Sequence, residues 1–425
     1  KLKEVDENGR SIGEWHTFCP HQVKQFMGWK DENGQPLGLE DFYDEDDRKY
    51  FTEKYNEAVQ HPLLPRKTYR AMDIMAQIMV SQLETGTPYM FYRDEVNRQN
   101  PNKHVNGKGR TSIFCSNLCT EIAQNMSATT IQKEYEDEDG NHVIVRKPGN
   151  FVVCNLSSIH LPNAVRDQVL DRLIPIQMRM LDNVIDINTI SVGQAAATNQ
   201  AYRPVGLGTF GWHHLLALEG IYWESEEAVN YADYLYEDIA YYTIKASMEL
   251  AKEKGAYANF KDSEWESGAY FQRKGYHSER WDQLQNHITQ YGIRNGWMMA
   301  VAPNSSTAKI GGSTDGIDPI YSVEYAEEKK NFKFKVTPPD LDHNTYAYYR
   351  RVRHELSQHW SIKQNAARQR HIDQGVSFNI YVRHDIKAKE LLNLHLSAWE
   401  EGLKTTYYVR STSQTEIDEC EACHS

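Results

Sequence analysis

Residues Trp297-Met298-Met299-Ala300-Val301-Ala302 form an unbroken apolar run, and that run limits the fold more than any other stretch. It lacks the alternation of a half-exposed strand, so it predicts a strand buried on both faces, as in parallel sheets covered by helices. Helical periodicity supplies the cover. Leu235, Ile239, Tyr242 and Ala246 recur at helical spacing within 225–255, and Gly255 reads as a C-terminal cap. Met72, Met75, Met79 and Leu83 do the same in 69–83, closed near Gly86. A further helical stretch spans about 163–185, where Pro175 is expected to kink or divide it, and a last one spans about 386–403. Strands are expected at 89–92, 143–145, 151–154, 332–336 and 405–410, with extended chain over 112–122. Residues 95–110 read as a polar loop and 134–141 as a charged turn. Strands alternating with long helices make the fold class α/β.

Composition removes several functions. The 425 residues carry 47 Lys+Arg against 59 Asp+Glu, a formal charge of −12, which argues against a nucleic-acid partner. Hydrophobic content of 40% excludes disorder as the main state. No run approaches the roughly 20 apolar residues that span a bilayer, so no membrane partner is expected. Six cysteines are too sparse for a disulfide scaffold. No signal peptide opens the chain, which points to the cytoplasm. Lys1 is not Met, so the chain is expected to be processed or part of something longer. Arg350-Arg351-Val352-Arg353, with Arg368 and Arg370, is expected to be a solvated helix face.

Five short motifs carry chemistry. Gly206-Leu207-Gly208-Thr209-Phe210-Gly211 matches the dinucleotide-binding pattern, but polar residues and Pro204 precede it, so a tight strand-to-helix junction is expected instead. Cys420-Glu421-Ala422-Cys423-His424 has the letters of a haem attachment site without an export signal. Zinc would want four ligands where three are present. A mobile terminal dithiol, able to exchange, fits better. In Ser116-Asn117-Leu118-Cys119-Thr120-Glu121-Ile122, extended chain would place Asn117, Cys119 and Glu121 on one face. An amide, a thiol and a carboxylate there supply a hydrogen-bond partner, a redox-active sulfur and a base; a structural cysteine beside a solvated glutamate is the plainer alternative. Pro303-Asn304-Ser305-Ser306-Thr307 follows the apolar run and opens a helix, which makes either an anion cradle or a plain N-cap. Tyr407-Tyr408 alone reads as strand packing.

Together these motifs resemble the large catalytic subunit of class I ribonucleotide reductase. The matching stretches are SNLCTEI at 116–122, VCNLSSIHL at 153–161, RPVGLGTFGW at 203–212, APNSSTA at 302–308, KTTYYVR at 404–410 and the terminal CEACHS, in the family's order. The resemblance implies that Cys119 becomes a thiyl radical that abstracts the ribose 3′-hydrogen. It implies that Glu121 takes the 3′-OH proton, that Asn117 is its hydrogen-bonding companion, and that Cys154 is one of two reducing cysteines. Pro303, Asn304, Ser305, Ser306 and Thr307 would hold the substrate diphosphate. Tyr407 and Tyr408 would relay the radical, and Cys420 and Cys423 would re-reduce the active-site disulfide.

The implied fold is the C-terminal part of the family's ten-stranded α/β barrel with a flexible tail. Residues 1–95 would be a lead-in, 96–410 the barrel portion with the cysteine loop, and 411–425 the redox tail. No cofactor is expected on this chain itself. The implied partners are the N-terminal portion of the same subunit, a metal-containing small subunit that supplies the radical, thioredoxin or glutaredoxin, and a second copy of the complete subunit. ATP and dNTP effectors are expected on the N-terminal portion. The second reducing cysteine has no counterpart here: Cys19 sits among His16-Thr17-Phe18-Cys19-Pro20-His21, which does not match the family's motif. The chain alone is therefore expected to be inactive. The alternative from another class is a zinc-binding or interaction module with a CxxC tail.

Overall fold

The computed structural model describes residues 1–8, 10–31, 34–42, 50–106, 111–329 and 332–412, the side chains of 326–334 excepted. Cys420, Cys423 and most of the expected tail lie outside the described residues, as does the acidic cluster at 44–47.

Five parallel segments, taken in chain order, form the centre. Leu156–His160 pairs with Gly206–Phe210. Leu207 bridges to Met299, Val301 bridges to Val376, and Ile380–Val382 pairs with Val409–Ser411, all parallel. Each parallel connection needs a crossover, and each crossover here contains helix. The helices Leu161–Arg166, Leu170–Ile187 and Gly193–Tyr202 fill the first crossover. The helix Glu226–Lys254 dominates the second and the helix Gln358–Gln369 the third, while Ala388–Glu400 fills the fourth. This is the α/β alternation expected from the sequence. Leu156–His160 and Val409–Ser411 are the first and last members of this row.

The apolar run behaves as its composition demands: Trp297, Met298, Met299, Ala300 and Val301 are all buried. All five residues of Gly206–Phe210 are buried as well. Gly208 must be glycine because a Cβ there would lie 2.4 Å from the Ala300 carbonyl of the adjacent strand. Gly211, at φ +87, then turns the chain into the helix Trp212–Glu219, so the glycine-rich motif is the expected strand-to-helix junction. The long helix is capped by Ser225, whose side chain accepts from the Ala228 N–H, and ends at Gly255. No described helix is long and apolar enough to cross a membrane.

Several local expectations need correction. The strand expected at 151–154 lies instead at Leu156–His160, where parallel pairing with Gly206–Phe210 decides the register. The charged segment from Glu134 is not wholly a turn: Thr130–Glu136 pairs with His142–Lys147, and only the tip turns, its bonds supplied by Asp137. Pro175 does not divide its helix. The break falls before Leu170, where Gln168 adopts φ 50, and Pro175 is accommodated inside Leu170–Ile187. Part of the expected loop after residue 95 is the helix Arg93–Arg98. Arg368 is not solvated: it is fully buried, with its guanidinium over the rings of Trp212 and Tyr236.

A smaller unit precedes the centre. Glu14–Phe18 pairs antiparallel with Arg66–Arg70, and the helices Pro20–Met27 and Tyr50–Gln60 pack beside them on a separate cluster of Val23, Ala58 and Leu64.

Candidate active site

The cysteine motif is not extended chain. Thr120, at φ 70, and the bonds from Asn117 N–H to Ile122 O (3.2 Å) and from Thr120 N–H to Asn117 O (3.3 Å) fold 117–122 into a tight turn. Alternation therefore does not bring Asn117, Cys119 and Glu121 together; the turn does. The Asn117 side-chain carbonyl accepts from Ile122 N–H at 3.0 Å. Its NH₂ group is left to face the Glu121 carboxylate and the Cys154 thiol, and its influence lowers the pKa of both.

This turn is pinned to the strand row by polar contacts. Gly375 N–H donates to Glu121 O at 2.7 Å, and a Cβ on Gly375 would lie 2.5 Å from Thr120 O. Gln124 donates to the Gln374 side chain at 2.9 Å, and Gln374 donates to Val205 O at 2.8 Å. Lys404, buried, caps the Ile372, Asp373 and Gln374 carbonyls. Ser377 bonds both the Cys119 carbonyl and, at 3.1 Å, the Glu121 carboxylate.

Electrostatics follow from burial. Glu121 is 2% exposed, and desolvation pushes its carboxyl above the ordinary range against the opposing bonds from Asn117 and Ser377. Cys154 reaches solvent, yet atoms crowd its sulfur. Desolvation first, then the Glu121 charge, raise its thiol, with the Asn117 bond opposing. Tyr407 is buried and donates to Cys119 Sγ at 3.4 Å. Desolvation and that bond to Cys119 hold its phenol far above the usual range. The Tyr407 and Tyr408 ring centroids are 4.4 Å apart, and Arg410 lies over the Tyr408 ring at 4.1 Å.

The structure thus brings Asn117, Cys119, Glu121, Cys154, Tyr407 and Tyr408 together. The 303–307 turn follows the end of the strand segment through Val301. Asn304, at φ 58, accepts from Ser158 (3.1 Å) and donates to Ala302 O (3.0 Å) and Thr209 O (3.3 Å). Ser305, Ser306 and Thr307 open the helix Ser305–Ile310 with exposed hydroxyls, and no side chain caps its N-terminus. Cys19 and Cys115 are exposed; Cys115 contacts Met126 Sδ at 3.6 Å. No group of three or more His, Cys, Asp or Glu among the described residues is arranged to hold a metal.

Sequence reasoning missed Ser377, Gln374 and Tyr89. A lone serine or glutamine carries no local signal, because only sheet register carries Ser377 to a carboxylate 256 residues away. Tyr89 had one usable sign, an aromatic in a segment already expected to be a strand.

Known proteins resemble this chain over nearly its whole length. Residues 4–409 match the family model described as ribonucleotide reductase, barrel domain. A ribonucleoside-diphosphate reductase subunit alpha from Treponema pallidum (strain Nichols) is 44% identical over 97% of this chain and 47% of its own length. One from Helicobacter pylori (strain ATCC 700392 / 26695) is 32% identical over 98% of this chain and 56% of its own. One from Bacillus subtilis (strain 168) is 27% identical over 96% and 57%. The chain therefore spans about half the length of the curated relatives it matches, and no zinc or interaction module appears among these names. On the strength of a match that covers residues 4–409, the cysteine turn included, the chain belongs to the ribonucleotide reductase barrel-domain family.

Proposed function

We propose that this chain is the C-terminal, catalytic portion of an α subunit that reduces ribonucleoside diphosphates to deoxyribonucleoside diphosphates through a thiyl radical on Cys119. The supporting observation is the Tyr407 hydroxyl 3.4 Å from Cys119 Sγ, beside a carboxyl, an amide and a second thiol. Loss of a 2′-hydroxyl from an unactivated ribose is poor polar chemistry, whereas a radical at carbon 3 makes departure of water feasible. Tyr407, as a phenoxyl, takes the hydrogen of the Cys119 thiol, and the resulting thiyl takes the 3′-hydrogen. Glu121 accepts the 3′-OH proton, and burial makes its carboxylate a stronger base than an ordinary glutamate. Asn117 favours the charged form of both that carboxyl and the Cys154 thiol. Pro303 to Thr307 receive the substrate diphosphate.

Each ribose needs two electrons. Cys154 supplies one thiol, and in this reading the second comes from the remainder of the subunit, in keeping with relatives about twice as long. Cys420 and Cys423 re-reduce the resulting disulfide and are recharged by thioredoxin or glutaredoxin. The radical enters through Tyr408 from a metal-containing small subunit, and nucleotide effectors and the homodimer contact belong to the complete subunit, in the cytoplasm. The division at 95 and 410 separates lead-in, barrel portion and redox tail.

The test uses the complete α subunit with its radical-generating subunit, a ribonucleoside diphosphate and a dithiol. Cys119→Ser should abolish deoxynucleotide formation while nucleotide still binds. Turnover by the Cys119→Ser enzyme would overturn the reading. Residues 1–425 with the small subunit alone should be inactive, and adding the N-terminal portion should restore activity.

A further inference from the structure

Tyr89 has no part in the scheme above, yet it touches both tyrosines of the relay. Its ring centroid lies 4.6 Å from that of Tyr407 and 4.9 Å from that of Tyr408, and both neighbouring phenols act on its own, Tyr408 raising its pKa and Tyr407 opposing. The chain holds it there from two sides. Met90–Phe91 pairs antiparallel with Thr405–Thr406, immediately before the tyrosine pair. Val409 N–H, immediately after the pair, donates to Gly86 O at 3.1 Å. Gly86 leaves the space that Tyr408 fills, since a Cβ there would meet Tyr408 Cδ1 at 2.8 Å.

The Tyr407 hydroxyl has two acceptors within reach, Cys119 Sγ and the Tyr89 oxygen. One proton cannot serve both at once. Moving an electron between half-buried Tyr408 and buried Tyr407 without its proton would leave a charged radical in a poorly solvated site, which is costly. We propose that Tyr89 carries the proton that accompanies the electron between Tyr408 and Tyr407, completing a line of packed phenols, Tyr408–Tyr89–Tyr407, that ends at Cys119. The proposal rests on the relay reading above.

The balance is as follows. The Tyr408 phenoxyl gains an electron from the Tyr407 ring and a proton from the Tyr89 hydroxyl. Tyr89 takes the Tyr407 proton in the same step, and Tyr407 becomes the phenoxyl. The net transfer is one hydrogen atom from Tyr407 to Tyr408, with Tyr89 unchanged. Tyr407 then takes the hydrogen of the Cys119 thiol. Desolvation and the bond to Tyr408 push the Tyr89 phenol up to about 12, so it stays protonated over the working pH range and can act as a donor throughout.

In the complete α subunit assembled with its radical-generating subunit, Tyr89→Phe keeps the ring and removes the proton link. Turnover should fall about 100-fold, a typical contribution of a positioned proton-transfer group, with the nucleotide KM unchanged. Installing 3-fluorotyrosine at position 89 restores the hydroxyl and should recover turnover. Tyr408→Phe, run alongside, should abolish turnover; if it does not, the relay reading itself fails and takes this proposal with it. An inactive Tyr408→Phe beside a Tyr89→Phe enzyme of ordinary turnover would overturn the role of Tyr89 alone. A Tyr89→Phe loss that 3-fluorotyrosine does not recover would also overturn it and assign the defect to packing.

Discussion

The strand-and-helix unit 206–254 and the cysteine loop 112–126 sit against each other but are held by different forces. In the unit, every residue of Gly206–Phe210 is buried, and the helix Glu226–Lys254 turns a stripe including Leu235, Tyr236, Ile239 and Ile244 onto the same core. In the loop, the buried residues include Thr120, Glu121, Gln124 and Asn125. Asn125 alone accepts from Asn100 (2.7 Å) and donates to Asn102 O (2.9 Å) and Thr111 (2.7 Å). Apolar burial is strong but non-directional, so it fixes that two surfaces meet without fixing one atom to a few tenths of an ångström. Hydrogen bonds are weaker in net free energy but directional. The site that must hold a sulfur against a phenol is built on the second kind.

The contrast predicts opposite phenotypes, and the largest effect belongs to the apolar side. Trp212 is fully buried, stacked near Tyr231 and under the Arg368 guanidinium, and it donates to Gln364 at 2.7 Å. Trp212→Ala should cost about 3–5 kcal/mol, from the cavity plus the partners it strands. Urea denaturation of the complete subunit should show the loss. A cost below about 1 kcal/mol would mean the unit is not held as described.

The same contrast explains what could be read from the sequence. The buried run 297–301, the caps at Ser225 and Gly255 and the glycine junction at 206–211 were legible because each rests on local composition or period. The cysteine turn was not. Its shape depends on Thr120 at positive φ and on Gln374, Gly375 and Ser377, more than 250 residues away. The chemical types in the motif were visible, but the way they meet was not. Arg368 misled for a related reason: among surface arginines it reads as one more charge, and only the fold places Trp212 and Tyr236 against it.

On the polar side, Gln374 should give the next largest effect. Its side chain joins Gln124 of the loop to Val205 O of the strand row. Gln374→Ala strips Val205 O of this donor and leaves the Gln124 amide only its longer bond to Val153 O (3.4 Å), at roughly 2–3 kcal/mol. The distinguishing result is in catalysis: turnover should fall well beyond what the loss of folded protein explains, with nucleotide binding retained. Equal losses of stability and activity would erase the distinction between the two regions.

Gly375→Ala probes the same contact by crowding. The new Cβ would lie 2.5 Å from Thr120 O, a backbone atom that cannot swing aside. Overpacking of this kind costs about 1–3 kcal/mol, and here the strain falls on the turn that carries Cys119. Turnover of the folded fraction should drop at least tenfold, since small misplacements of reacting groups are expensive. Unchanged turnover would show that the turn can shift without moving the sulfur.

Ser377→Ala should be the mildest change and the most informative about Glu121. The serine hydroxyl bonds the Glu121 carboxylate at 3.1 Å and lowers its pKa, while burial, the larger effect, raises it. Removing the hydroxyl leaves burial less opposed, so the carboxyl rises further. A base works as the carboxylate, above its pKa, so the acid limb of the rate profile should move to higher pH. Stability carries the same sign. A carboxyl whose folded pKa exceeds its unfolded value favours the folded state below the unfolded pKa, and that advantage is lost as pH rises through the folded pKa. The variant's stability deficit should therefore be smaller below that interval, about 1 kcal/mol for a bond to a neutral acid, and roughly 2 kcal/mol above it, where a charge loses its donor. An acid limb that stays in place would mean that Glu121 does not set it. A limb that moves while the stability deficit stays flat with pH would separate the base in catalysis from the carboxyl that Ser377 holds.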